Sequence, residues 1–151
     1  MRKRTAGVSI AVFTLAMVTA ALAATGVEPR FTDAARQAGE FHAYSKSIVL
    51  TPEQEAIKRE ALSQLKAPCC DDNGLDTCCC DCNLAKTAWG LANYLIAEQH
   101  YDAARVRTKV AEWLKFVNPN GFTGDVCYTP GGCLRPISAN GCGGMREPVV
   151  P

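Results

Sequence analysis

Residues 81–117 read DCNLAKTAWGLANYLIAEQHYDAARVRTKVAEWLKFV, and their spacing points to two consecutive helices. Leu84, Ala88, Leu91, Ala92 and Leu95 make one apolar stripe at helical spacing, which predicts a helix from Asp81 or Cys82 to about Gln99. Asp102 is placed to cap the next helix. Within it, Val106, Val110, Trp113, Leu114 and Val117 recur at i, i+4, i+7, i+8 and i+11, a single face to bury. Asn118-Pro119-Asn120-Gly121 ends it. Trp89 and Trp113 read as core side chains rather than stacking platforms for a ligand.

Upstream, Thr51-Pro52-Glu53-Gln54 has a capping Ser/Thr, a proline at the first helical position and a glutamine three residues on. Ile57, Ala61, Leu62 and Leu65 follow at helical spacing, so this helix is expected to reach about Lys66 and stop before Pro68. Earlier still, Thr32 can cap a shorter helix to about Tyr44. Its apolar side would be Phe31, Ala35, Ala38 and Phe41, and Gly39 interrupts it. Residues 67–78 read as a loop, with Asp71-Asp72-Asn73-Gly74 as a turn. From Phe122 the chain is rich in glycine, proline and cysteine and has no helical period; a short strand near Val126 is the only regular element expected there. The fold class is all-α: a small helical hairpin domain of three to four helices with a Cys/Gly-rich irregular C-terminal tail. Such a tail cannot bury much apolar surface alone, so cross-links or a metal are expected to hold it down.

The N-terminus reads as a targeting segment. Arg2, Lys3 and Arg4 precede an apolar run from Val8 to Ala23, and Ala21-Leu22-Ala23 fits a small-x-small cleavage site. The organisation expected is a signal peptide over 1–23, a leader with a short helix over 24–48, a Cys-rich helical domain over 49–118 and a Cys/Gly/Pro-rich tail over 119–151. Export to the periplasm or cell exterior follows, with no membrane association after cleavage. Removing the three basic residues leaves 13 Lys and Arg against 15 Asp and Glu. A mildly acidic chain with no basic run gives no reason to expect nucleic acid as a partner.

Six of the nine cysteines fall in one window, Cys69-Cys70 then Cys78-Cys79-Cys80-Asp81-Cys82. Neighbouring Cα atoms lie about 3.8 Å apart, and ordinary disulfides span roughly 4.4–6.8 Å. Each sulfur in such a run must therefore look elsewhere: to a distant cysteine, a metal ion or a redox client. Export permits disulfides, but nine cysteines make at most four bridges within one chain. Cys79 and Cys82 form a C-x-x-C pair at a predicted helix N-terminus, where the dipole and unpaired amides should lower a thiolate pKa; Asp81 opposes this. Cys80 and Cys82 form a C-x-C. Cys69, Cys70, Cys78, Cys79, Cys80 and Cys82 are the candidate metal ligands, suited to Cu(I) or Zn(II). An iron–sulfur unit suits the same sulfurs but is disfavoured by export, because such clusters are normally built inside the cell. Of the tail sulfurs Cys127, Cys133 and Cys142, two are expected to form a staple and the third to reach the main cluster. Met145, His42 and His100 are isolated, weaker candidate donors.

Residues 50–117 as a set resemble a small cysteine-rich helical module of exported bacterial proteins. The shared plan runs Leu50-Thr51-Pro52-Glu53-Gln54, a helix, Pro68-Cys69, a cysteine loop, Cys79-x-x-Cys82, a helix, and a last helix containing Val106-Arg107. The PCYCGC-motif proteins have this plan. More distantly, it is similar to the helical thiol-oxidoreductase domain of cytochrome c maturation, which implies a reductase role for Cys79 and Cys82. The chain departs from the motif at Cys70, where the family has tyrosine.

Three functions are consistent with these residues. The first is a non-enzymatic soft-metal protein with a thiolate cluster. The second is an extracytoplasmic thiol–disulfide oxidoreductase or redox partner, with Cys79 and Cys82 as catalytic residues and a protein thiol as client. The third is a disulfide-stapled interaction module. No other enzyme signature is present.

Overall fold

The computed structural model describes residues 28–151 except 69, 79, 126, 127 and 129, with backbone alone at 70 and 71. The expected signal peptide, its cleavage point before Ala24 and the strand near Val126 lie outside the described residues.

Helix α1 spans Ala34–Ser47. Asp33, not Thr32, is its cap, accepting from the Arg36 amide at 3.0 Å. Thr32 instead gives its own amide to Gln37 Oε1, which also takes that of Asp33. The helix runs through Gly39 and past Tyr44. Its buried face is Gln37, Ala38, Phe41 and His42, whereas Ala35 is exposed. Helix α2 spans Pro52–Leu62 and starts on the expected box, with Thr51 and Gln54 each capping the other's backbone. It stops short of Lys66, because the Ser63 amide closes onto Arg59 and that of Leu65 onto Leu62. That turn redirects the chain into strand β1.

Strand β1 (Lys66–Ala67) pairs antiparallel with β2 (Cys70–Gly74), with Lys66 opposite Gly74 and Ala67 opposite Cys70. A 3₁₀ turn over Leu75–Thr77 follows. The expected loop over 67–78 is thus a small ribbon, residues 71–74 are strand rather than turn, and the fold is mostly helical but not strictly all-α. The ribbon is closed by the Leu75 amide on Leu65 at 2.8 Å, and Leu75 is fully buried. The Leu75 carbonyl accepts from Trp89 Nε1 at 2.8 Å.

Helices α3 (Asn83–Ala97) and α4 (Ala103–Val117) follow the predicted stripes. Leu84, Ala88, Leu91, Ala92 and Leu95 are all buried, as are Val106, Val110, Trp113 and Val117. Asp102 caps α4 through the Arg105 amide. His100 is exposed in the link between them, in left-handed backbone at φ 55°. The core lies among the four helices. Helix α1 packs along α3, closest at Gly90, where an added Cβ would sit 1.7 Å from the Phe41 carbonyl oxygen. Trp113 donates to Thr87 Oγ1 at 3.1 Å, and the rings of Phe31, Phe41 and Phe116 surround it. Burying large side chains such as Trp113 and Leu91 contributes about 1.5–3 kcal/mol each.

The tail turns back on the helices. It carries two short 3₁₀ turns, Gly132–Leu134 and Ile137–Ala139, and its Ile137 and Cys142 are fully buried. Backbone bonds tie it to itself: Ile137 to Val150, Val150 to Gly143 and Gly143 to Arg135.

Candidate thiol site at the start of the third helix

Cys82 is the residue preceding α3, in extended backbone at φ −83° and ψ 161°. Its thiol is free and 2% exposed. A helix start leaves its first amides without intrahelical acceptors. Here they are taken by the tail: the Asn83 amide donates to Gly144 at 2.9 Å and the Leu84 amide to Cys142 at 3.0 Å. Asn83, itself fully buried, adds two side-chain bonds from Nδ2, to the carbonyls of Gly143 at 2.9 Å and Arg146 at 2.8 Å. Lys86, one turn on, donates to the Met145 carbonyl and pairs with the exposed Asp81 at 3.5 Å. Residues 142–146 thereby form a strap across the head of α3. Gly143 and Gly144 make it possible, since both have φ in the left-handed region, at 68° and 88°, and a Cβ on Gly143 would meet Ile137 Cγ1 at 2.6 Å.

This docking lays Cys142 against Cys82. The Cys82 thiol hydrogen-bonds with both Cys142 and Cys78. Its pKa is pushed up to about 12, first by the bond with Cys142 and also by burial; the bond with Cys78 and the Ala85 amide pull the other way. The lowering expected from a helix N-terminus is therefore reversed. Two of the amides that would stabilise a thiolate are occupied by strap carbonyls, and the sulfur is shut away from water. A buried neutral thiol is a poor nucleophile.

Of the expected ligands, the structure brings Cys78 to Cys82 and packs Cys80, half-buried, against the core. Cys70 has its backbone in β2. Cys69 and Cys79 lie outside the described residues, as does Cys127. Cys133 is half-buried against the core, and its carbonyl accepts from the Gly144 amide. Of the tail sulfurs, Cys142 meets Cys82. Sequence spacing reserved one such sulfur without saying which, and the Gly143-Gly144 pair beside it was the available signal. Asn83 was not singled out: an asparagine before an apolar stripe reads as a cap, whereas here it points across to the tail. His42 and Met145 are elsewhere, His42 on the buried face of α1 and Met145 exposed on the strap.

Among the described residues, no group of three or more His, Cys, Asp and Glu side chains is arranged to hold a metal ion, and no helix is long and apolar enough to cross a membrane. The chain matches no protein-family model, no curated protein and no solved structure.

Proposed function

We propose that this is an exported protein that binds a soft metal ion, Cu(I) or Zn(II), through thiolates gathered at the head of α3. The observation that carries this reading is the contact of Cys82 with both Cys78 and Cys142, which joins the crowded cysteine segment to the tail around one buried sulfur. Sulfur is the donor that soft ions prefer, and Cys82 and Cys142 are both buried. The three sulfurs do not by themselves make a metal cage. Cys79, next to Cys78 in the chain, is the sulfur we assign to complete it. Cys69, Cys70 and Cys80 are the remaining donors of the cluster. A metal ion displaces thiol protons on binding, which a thiol as reluctant to ionise as Cys82 otherwise resists.

The test is anaerobic loading of the reduced protein with Cu(I) or Zn(II), with bound metal counted after desalting. About one equivalent is expected, and Cys82→Ser and Cys142→Ser should each abolish it or weaken it by an order of magnitude or more. No uptake by the wild-type protein removes the reading. Intact mass after alkylation, before and after reduction, then identifies the alternative. Four bridges indicate a disulfide-stapled module. A client trapped as a mixed disulfide by Cys79 when Cys82 is replaced by serine indicates thiol–disulfide exchange.

A further inference from the structure

The strap that delivers Cys142 continues past residue 146 to Glu147, where a second polar contact fastens it to α1. Glu147 Oε1 accepts from Lys46 Nζ at 2.6 Å and lies 3.3 Å from His42 Nδ1, both residues being on α1. His42 is 3% exposed and, with Ala35, Gly39, Glu147, Pro148 and Val149, lines the groove between α1 and the strap. Its Nε2 is buried and has no hydrogen-bond partner among the described residues.

We propose that His42 and Glu147 form an acid-sensitive latch that holds the C-terminal strap, and with it Cys142, over the head of α3. With Nδ1–H directed at Glu147, the neutral ring leaves Nε2 a bare acceptor, which is a small loss. Protonation places an N–H on Nε2 with no acceptor in reach, in a buried site, and that is costly. The charged groups facing His42 are Lys46 on its own helix, Lys86 on α3 and Glu147 on the strap. Two of the three are cations, and the carboxylate is exposed and already shared with Lys46. Burial, then Lys46, hold the imidazole below its ordinary value, with Glu147 opposing. A strap lifted into water leaves His42 with an ordinary pKa of about 6.5. The open form therefore binds more protons below that pH. Docking is at full strength above about pH 6.5 and weakens as the pH falls from there toward the lower docked value. Glu147 is held below the usual carboxylate range by Lys46 and stays ionised across that window.

The effect on the sulfur site rests on the thiolate reading of Cys142, but the latch can be tested without metal. Among the described residues, the acceptors of the Asn83 and Leu84 amides are strap carbonyls, so their exchange reports strap docking. In the reduced, metal-free full chain, their protection factors by NMR should fall several-fold between pH 7.5 and 5.5, up to about tenfold. In His42→Gln, whose amide can still donate to Glu147 but does not titrate, protection should stay flat. Constant protection in the wild-type protein, or an equal fall in the variant, overturns the latch. Should His42→Gln not fold, Glu147→Gln at the exposed end serves instead. It removes the one group that favours the imidazolium, so the docked value drops further and the loss of protection between pH 7.5 and 5.5 should be larger than in the wild-type protein; a fall no larger than the wild type's counts against the proposal. Metal uptake plays no part in this reading, so its failure leaves the latch result standing.

Discussion

Asn83 and Cys82 are neighbours with opposite duties. The cysteine holds a buried thiol whose proton is difficult to remove, and the asparagine secures the segment that makes it so. Asn83 gives two bonds to the strap from a fully buried side chain, and its Oδ1 accepts none among the described residues. Asn83→Ala deletes both donors and leaves the Gly143 and Arg146 carbonyls short of partners. We expect a loss of about 2 kcal/mol in urea unfolding, together with faster exchange at Leu84. The chemistry of Cys82 was only half legible in the chain. Its position before a helix was readable from the apolar stripe. The effect of that position was not, because it depends on what meets the helix amides. Here carbonyls from a distant segment meet them, and the dipole argument loses two of the donors it relies on.

The helices themselves were readable, and for one reason. Each has an apolar period of 3.6 residues, and two carry cap chemistry that the sequence shows: Thr51 with Gln54, Asp102 with the Arg105 amide. Ends were less secure. Helix α2 stops at Leu62 because the chain must turn to let Leu75 reach Leu65, a constraint that lies outside the helix. The β2 segment Cys70–Gly74 has little strand propensity, and its Asp-Asn-Gly residues read as a turn; pairing with β1 overrides that preference. The packing of α1 on α3 makes two glycines a sharp contrast. At Gly90 a Cβ would lie 1.7 Å from the Phe41 carbonyl and 2.7 Å from the Ser45 amide, backbone atoms that cannot yield without parting the helices. Gly90→Ala should cost about 3 kcal/mol or prevent folding. At Gly39 nothing lies within 4 Å, and the residue sits inside α1. Gly39→Ala should stabilise by about 0.5–1 kcal/mol, a rise in thermal midpoint of a few degrees.

The tail belongs to the same cooperative unit as the helices. Ile137 is fully buried in the common core, Asn83 and Leu84 anchor the strap, and Lys46 and His42 hold it against α1. Ile137→Ala should therefore lower the stability of the entire domain by about 2–4 kcal/mol while leaving a single unfolding transition. A tail attached only by cross-links would melt separately. Composition alone suggested that glycine- and cysteine-rich residues could not order themselves. It missed the acceptors that the helix start needs and the tail backbone supplies.

The amino-acid order was enough to specify four amphipathic helices and a crowd of sulfurs that cannot bond to their immediate neighbours. Periodicity, capping and the reach of a disulfide are local properties, set within a few residues of one another. Folding in three dimensions chose Cys142 as the partner of Cys82, raised that thiol instead of lowering it, and put His42 beneath Glu147. Those outcomes arise from contacts between segments far apart in the chain. Burial and electrostatics act through space, and a string of residues carries no record of which distant carbonyl or carboxylate will arrive.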